Sequence, residues 1–390
     1  MNIALINVVG CEGSTGKIVS KLANIYSEKG HVCKVFHGRG NRLNDGIHFK
    51  YGNKLDTIIH YLLVRITDKE GYYSTLYTKK IIKELKKFNP RRLIISNLHG
   101  HWLNIPLFIE EISKMDLYIS WLMADEYPFT ARCSYTNGCV GFKSNCRNCK
   151  IYKGIKYQYS IKEKYYELLI PKTVFSSVKY IVDKAKESTL LKNAKFDIKN
   201  TGIDTNFYYP VDVAEMKKNI GIDKEKVILL NVAPYSNRRK GVAYFLEAAK
   251  ILEKDDRFVF INVGYDGNMN DLPSNFIAIP YVSNQEELRE YYSMADVYVC
   301  TSTQDALPNA CVEAMSCGTP LIAFNISGMP YIAEYPVLKL VEEISSNKLV
   351  EKIQMLTRKN YEISSKARTV AVDRYSFNNF ADAILSDFID

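Results

Sequence analysis

The chain has 390 residues, 47% of them hydrophobic and 24% charged; this is the balance of a water-soluble globular protein, and the chain is too long for one ordinary core. Its formal net charge of +9 is uneven, with roughly +16 on residues 1–200 and roughly −7 on residues 201–390. No apolar run approaches the roughly 20 residues needed to cross a bilayer, and the N-terminus lacks the pattern of a secretory signal, so the expectation is a cytoplasmic protein of two domains.

The chain opens on a buried strand, Ile3–Val9, that runs into NVVGCEGSTGKIVSKLA. This resembles a phosphate-cradling P-loop but lacks its defining features. Gly10 precedes Gly16 by one residue too many, and Ile18 stands where a magnesium-binding hydroxyl is required. What remains is a glycine-rich turn in which Gly10, Gly13 and Gly16 let backbone approach a ligand. Ser14 or Thr15 is expected to cap a helix over Ile18–Glu28. Strands then follow at Val32–His37, Leu93–Ser96, Leu117–Leu122 and Val174–Ser176, with helices at Tyr77–Phe88 and Leu107–Lys114. Tyr and Lys interleave over residues 151–180, as they would at a membrane interface, beside single-stranded RNA, or simply on solvated helix faces.

Residues 199–212, KNTGIDTNFYYPVD, break the alternation. Beyond them come strands at Val227–Val232, Phe258–Val263, Phe276–Ile279, Val297–Thr301 and Pro320–Phe324, with helices at Ala243–Leu252 and Gln285–Met294. Alternation of this kind predicts an α/β protein with two doubly wound, Rossmann-like parallel sheets facing each other across a cleft, ligands lying beyond the carboxyl ends of the strands. The expected division is 1–200, 201–372 and a helical segment 373–390 that returns to the first domain.

Two clusters carry chemistry. After the strand ending at Thr301, CTSTQDALPNACVEAMSCGTP places Asp305 just before a helix and Glu313 inside it, with Pro308 in the first turn. Ionised carboxylates accept two hydroxyl donors each, which suits a ribose or hexose, and the helix N-terminus suits a diphosphate. Arg238, Arg239 and Lys240 follow the strand Val227–Val232 and would neutralise a departing pyrophosphate. The second cluster, Cys133, Cys139, Cys146 and Cys149, lies in a polar loop, 131–150. Zinc, disulfides and free thiols are all open to it, with a structural zinc as the leading expectation.

The D-x7-E spacing, EAMSCGTPLIAF, the RRKG loop and NTGIDTNFYYP resemble glycosyltransferase family 4. GSTGKIVSKLA, FHGRG, NLHGHWLN and YPFTARCSYTNGC resemble a subgroup that assembles capsular and other surface polysaccharides. The resemblance implies the GT-B fold and retaining sugar transfer without a catalytic metal or other cofactor, from a nucleotide-diphosphate sugar to a glycan or lipid-linked glycan. It implies Glu313 on the donor ribose, Asp305 on the transferred sugar, and Lys240 with Arg239 or Arg238 on the diphosphate. Ala306, Leu307, Pro308 and Asn309 would complete the donor loop, and Gly13 would approach donor or acceptor. Ser14, Thr15, His99, His101 and Asp125 are the acceptor-side candidates. The family's usual first acid is Glu, its usual arginine before the lysine is here Pro234, and its usual histidine is here Ala124. The last change shifts the local contact to Asp125, Glu126, His99 or His101, and leaves a weakly active donor-binding homologue as an alternative. An epimerase of the same fold, a pyridoxal-dependent phosphorylase and a nucleic-acid-binding protein are the other readings. The last explains the basic half but not the paired acids. The expected location is the cytoplasm, at the inner face of the plasma membrane, in contact with anionic lipid and not nucleic acid.

Overall fold

The computed structural model describes residues 1–147, 149, 155–222 and 225–386, and the side chains of all of these except 155–157. The cysteine loop 131–150, the Tyr/Lys tract 151–180 and the segment 373–390 each run partly outside them. The chain forms two compact units: one of Met1–Lys199 with the stretch beginning at Ala381, the other of Asn200–Phe380.

The first unit holds seven parallel strands: β1 (Asn2–Val9), β2 (Val32–Arg39), β3 (His48–Lys50), β4 (Arg92–Ile95), β5 (Tyr118–Leu122), β6 (Thr173–Ser177) and β7 (Lys195–Ile198). Their order, β3-β2-β1-β4-β5-β6-β7, reverses direction between β1 and β4, the switch point at which such sheets leave room for ligands. Central strands are continuous apolar runs because helices cover both faces; Ile3, Leu5, Leu93, Ile94 and Ile119 are wholly buried. The helices are α1 (Gly13–Glu28), α2 (Lys54–Thr67), α3 (Thr75–Phe88), α4 (Ile105–Ser113), α5 (Ile155–Leu169) and α6 (Lys179–Lys186).

Three local expectations change. Neither Ser14 nor Thr15 caps α1: Glu12 is the N-cap residue, its carboxylate accepts from Asn41 N at 2.8 Å, and Thr15 Oγ1 accepts from Asn7 Nδ2 at 3.3 Å. Of the three glycines, only Gly13 (φ +64°) faces open space; a side chain at Gly10 would meet the His37 ring, and one at Gly16 would meet Val9. The Tyr/Lys tract is only partly a surface feature where it forms α5: Tyr159, Lys162 and Tyr166 are buried, while Lys164 is exposed.

The second unit has six parallel strands: β8 (Val227–Val232), β9 (Phe258–Val263), β10 (Phe276–Ile279), β11 (Val297–Cys300), β12 (Leu321–Phe324) and β13 (Leu338–Val341). The order is β10-β9-β8-β11-β12-β13, switching between β8 and β11. The helices are α7 (Ala214–Asn219), α8 (Val242–Ile251), α9 (Gln285–Met294), α10 (Asn309–Ser316), α11 (Ser346–Gln354), α12 (Tyr361–Tyr375) and α13 (Phe377–Ser386). Two apolar clusters fill the two faces of this sheet, one around Tyr292, Val312 and Met315, the other around Phe245, Phe260 and Ile322. α13 starts in the second unit and ends in the first, where Tyr26 Oη donates to Ala381 O at 2.9 Å and Arg92 Nη1 to Ile384 O at 2.6 Å.

Candidate active site

The loops that follow β8 and β11 meet at the switch point of the second sheet. Asn231, near the end of β8, donates through Nδ2 to Val299 O at 2.7 Å and accepts from Asn262 Nδ2 of β9 at 2.9 Å. This buried amide ladder ties the three strand ends together, because each unpaired amide there would carry a desolvation cost. Beyond it, the turn Arg238–Lys240 is stitched to the loop after β11. Thr303 N donates to Arg239 O at 2.8 Å, and Thr301 Oγ1 to Lys240 O at 3.1 Å. Gly241 closes this turn with φ +66°, and a β-carbon there would lie 2.0 Å from Thr301 O. A second close approach holds the other side. Gly328 N donates to Asp305 O at 3.0 Å, and a β-carbon on Gly328 would sit 1.7 Å from Ala306 O.

These constraints bring the charged groups together. Asp305 Oδ2 accepts from Arg239 Nη1 at 2.9 Å and from Lys240 Nζ at 2.8 Å. All three side chains keep part of their surface in solvent, 15% for Asp305, 27% for Arg239 and 26% for Lys240, so a ligand can reach them. Arg239 Nη1 also donates to Gln304 O at 2.7 Å, which fixes the guanidinium. Arg238 is exposed beside them. α10 starts at Asn309, and Pro308 stands as its N-cap with φ −67° and ψ 120°, one residue earlier than its expected place inside the first turn. No side chain caps this helix, so its first N–H groups remain available to an anion. Ala306 and Leu307 are half-buried in the loop leading to it. Glu313, one turn into α10, accepts from Tyr292 Oη at 2.7 Å. Tyr292 is wholly buried, and its phenol is held well above the usual tyrosine range by burial and then by Glu313; it is a neutral donor that fixes the carboxylate. Sequence reasoning missed Tyr292, since nothing in YYSMAD marks one tyrosine as the partner of an acid 21 residues away.

The first unit gathers a second cluster at the carboxyl ends of β4 and β5. His99 Nε2 lies 3.3 Å from Asp125 Oδ2 and 3.5 Å from Ser134 Oγ, and its ring packs on Tyr127 with centroids 4.5 Å apart. Burial is the main cause of both shifts here: His99 is pushed down to about 4 and Asp125 up to about 6. His101 has φ +60°, and its ring lies 5.4 Å from those of His60 and Tyr61. Gly13, Ser14 and Thr15 sit in the first turn of α1, beyond the end of β1. The element that orders this region is Lys162 of α5, which composition alone could not single out from its many neighbouring lysines. Its Nζ donates to Tyr127 O at 2.7 Å and Thr130 O at 3.0 Å, and lies 3.3 Å from the centre of the Tyr127 ring. Burial pushes this ammonium down to about 7. Ala124, at the family's histidine position, is exposed.

The cysteine loop holds free thiols. Burial and then the neighbouring Cys149, Cys146 and Cys139 push the Cys133 thiol up to about 11. Among the described residues, however, no three His, Cys, Asp or Glu side chains are placed to hold one metal ion. Cys139 is exposed, and its Sγ accepts from Gly141 N at 3.4 Å.

Residues 212–370, which carry the three cations, Asp305 and Glu313, match the family model described as glycosyl transferases group 1. This segment is a group 1 glycosyl transferase domain. Over 375 residues the chain is 23% identical to the putative colanic acid biosynthesis glycosyl transferase WcaC of Escherichia coli K12, covering 88% of this chain and 90% of that one. Over 139 residues, 34% of this chain and 36% of the other, it is 27% identical to the N,N'-diacetylbacillosaminyl-diphospho-undecaprenol alpha-1,3-N-acetylgalactosaminyltransferase of Campylobacter jejuni. Among solved structures, a glycosyltransferase from Rickettsia africae matches with a TM-score of 0.71 at 15% identity, over 98% of this chain and 96% of that one. Anabaena Alr3699/HepE in complex with UDP and glucose matches with a TM-score of 0.64 at 13% identity, over 98% of both chains. The fold is GT-B, with a transferase domain built on the second of two doubly wound parallel sheets. No helix among the described residues is long and apolar enough to cross a membrane.

Proposed function

We propose that this chain is a retaining glycosyltransferase of family 4, which moves a sugar from a nucleoside-diphosphate sugar to a lipid-linked glycan during assembly of a surface polysaccharide. The observation that carries the reading is the shared carboxylate: Asp305 holds Arg239 and Lys240 within 2.9 Å beside the uncapped start of α10. Two cations and free helix N–H groups form a positive corner that suits the negative charge of a diphosphate. Glu313, oriented by Tyr292, takes the ribose hydroxyls.

In this reading the donor's diphosphate displaces Asp305 from the two cations. The freed carboxylate then accepts from hydroxyls of the sugar to be transferred. The bond between the anomeric carbon and the β-phosphate oxygen breaks, and Arg239 and Lys240 stabilise the charge that develops on that oxygen. The acceptor oxygen bonds to the anomeric carbon on the same face, and its proton passes to the departing phosphate. The acceptor is read onto His99, His101 and Asp125, with neutral His99 accepting from, or donating to, a sugar hydroxyl. The Campylobacter jejuni relative's name specifies a diphospho-undecaprenol acceptor, which supports a lipid-linked acceptor here at the inner face of the plasma membrane.

A thermal-shift screen against UDP, GDP, ADP and their sugars tests the donor reading. A ligand at about 100 times its Kd stabilises by about 2.7 kcal/mol. Glu313→Ala should abolish the shift, and an unchanged shift in that variant would remove the ribose assignment.

A further inference from the structure

α2 is an amphipathic helix turned inside out. Its buried residues are His60 and Val64. Leu55, Ile58, Ile59, Leu62 and Ile66 are 65%, 54%, 47%, 51% and 81% exposed. At 3.6 residues per turn these five fall within an arc of roughly 100°, opposite the buried pair. The stripe is not a fraying segment. Asn53 caps the helix by accepting from Asp56 N at 2.8 Å, Ser74 Oγ donates to Asp56 Oδ2 at 2.6 Å, and Asn53 Nδ2 donates to Tyr77 Oη at 2.8 Å. The helix is therefore anchored to the start of α3 with its apolar side held outward.

We infer that the outer face of α2, an apolar stripe bordered by Lys54 and Arg65, docks the first unit onto an anionic lipid bilayer. The charge pattern selects this occupant. Lys54 and Arg65 lie along one edge of the stripe, and α3 adds Lys79, Lys80 and Lys83, all exposed, next to Leu76, which is 76% exposed. The acids of the same stretch are engaged inward: Asp56 with Ser74, and Asp68 and Glu70 with Arg132 at 2.5 and 2.7 Å. An apolar face with cations along one edge, and with the acids of its own helix engaged inward, is the pattern of a helix that lies in the headgroup layer. A patch of aligned large aliphatic side chains is also more than a monomer ordinarily leaves to water.

The placement has a purpose under the proposed function, on which this part of the argument rests. α2 also carries buried His60 and exposed Tyr61, whose rings each lie 5.4 Å from that of His101. Docking through α2 would hold the acceptor-side cluster of the first unit at the surface from which a lipid-linked glycan projects.

The test uses the full chain with phosphatidylcholine vesicles, with and without phosphatidylglycerol, and needs no turnover. The wild type should co-float with the anionic vesicles and weaken as salt rises. The double variant Leu62→Asp, Ile66→Asp should lose binding at least about tenfold, while its thermal shift with the preferred nucleotide stays unchanged. Lys54→Glu, Arg65→Glu should also weaken binding and flatten its salt dependence. Undiminished vesicle binding by the Leu62, Ile66 variant overturns the proposal. So does an absence of vesicle binding accompanied by self-association that this variant abolishes, since the face would then join two copies. Vesicle binding without any nucleotide shift would leave the docking face standing and remove the donor reading instead.

Discussion

Lys240 Nζ and Arg239 Nη1 share one oxygen of Asp305, at 2.8 and 2.9 Å. Before any donor arrives, the carboxylate occupies the cations that would receive a diphosphate. Asp305→Asn weakens this competition. Isothermal titration with the free nucleoside diphosphate should therefore show equal or tighter binding by the variant, while transfer of the sugar falls. Lys240→Ala should lower kcat by about 10²–10³, the usual loss when one preorganised donor to a developing oxyanion is removed. Weaker diphosphate binding by Asp305→Asn would show that the acid supports the site and does not compete for it.

Tyr292→Phe deletes the hydroxyl that donates to Glu313 Oε2 at 2.7 Å. A hydrogen bond to a charged acceptor contributes about 1.5–3 kcal/mol. The variant should raise KM for the donor by roughly tenfold or more with a smaller change in kcat. A change in kcat alone would mean that Glu313 does not hold the ground-state donor.

His99 and Asp125 titrate in opposing senses. Burial lowers His99 from 6.5 to about 4, so between those values the unfolded chain binds the extra proton and stability falls as pH falls. Burial raises Asp125 from 3.8 to about 6, so between those values the folded chain binds the extra proton and stability rises as pH falls. The two slopes, each at most about 1.4 kcal/mol per pH unit, largely cancel over their shared window. Chemical denaturation across this range should reveal them singly: Asp125→Asn should lose stability on acidification, and His99→Asn should gain it. Parallel profiles for the two variants would contradict the assignment.

Lys162 is lowered to about 7 from 10.5. Between those values the unfolded chain carries more protons, so this residue's contribution to stability rises with pH. Lys162→Met should remove that rise. It also leaves Tyr127 O and Thr130 O without their ammonium partner, at a cost of about 1–3 kcal/mol for each carbonyl left unsatisfied.

Gly241→Ala combines a positive φ with a β-carbon placed 2.0 Å from Thr301 O. The left-handed backbone alone costs about 1–2 kcal/mol, and the clash must move the loop that carries Arg239 and Lys240. Thermal denaturation and diphosphate binding should both suffer; loss of stability with intact binding would separate the turn from the site.

The central strands could be read from the sequence because helices cover them on both faces, which writes runs such as VILLNV and LIAF. The strands missed, β3, β7 and β13, lie at sheet edges. Their sequences, HFK, KFDI and LKLV, carry charges that suit an open edge and hide the strand pattern. α2 escaped notice because its apolar residues face outward, so its periodicity did not point to a core. In the transferase domain, the places of Asp305, Glu313 and the three cations on the fold could be read because each lies in a loop after a strand or within the helix that follows, both fixed by local signals. Tyr292 and Lys162 could not, since each acts on a partner that only the tertiary fold brings near.

The junction of α13 with the first sheet also bears on how the molecule is made. Arg92 and Tyr26 lie in the first quarter of the chain, yet each spends a hydrogen bond on a carbonyl from its last ten residues. Ribosomes deliver those carbonyls only after the whole transferase domain has emerged. The unit begun first is thus completed only after the second, and a chain halted between Phe380 and Ile384 would leave its opening sheet without the Arg92 bond.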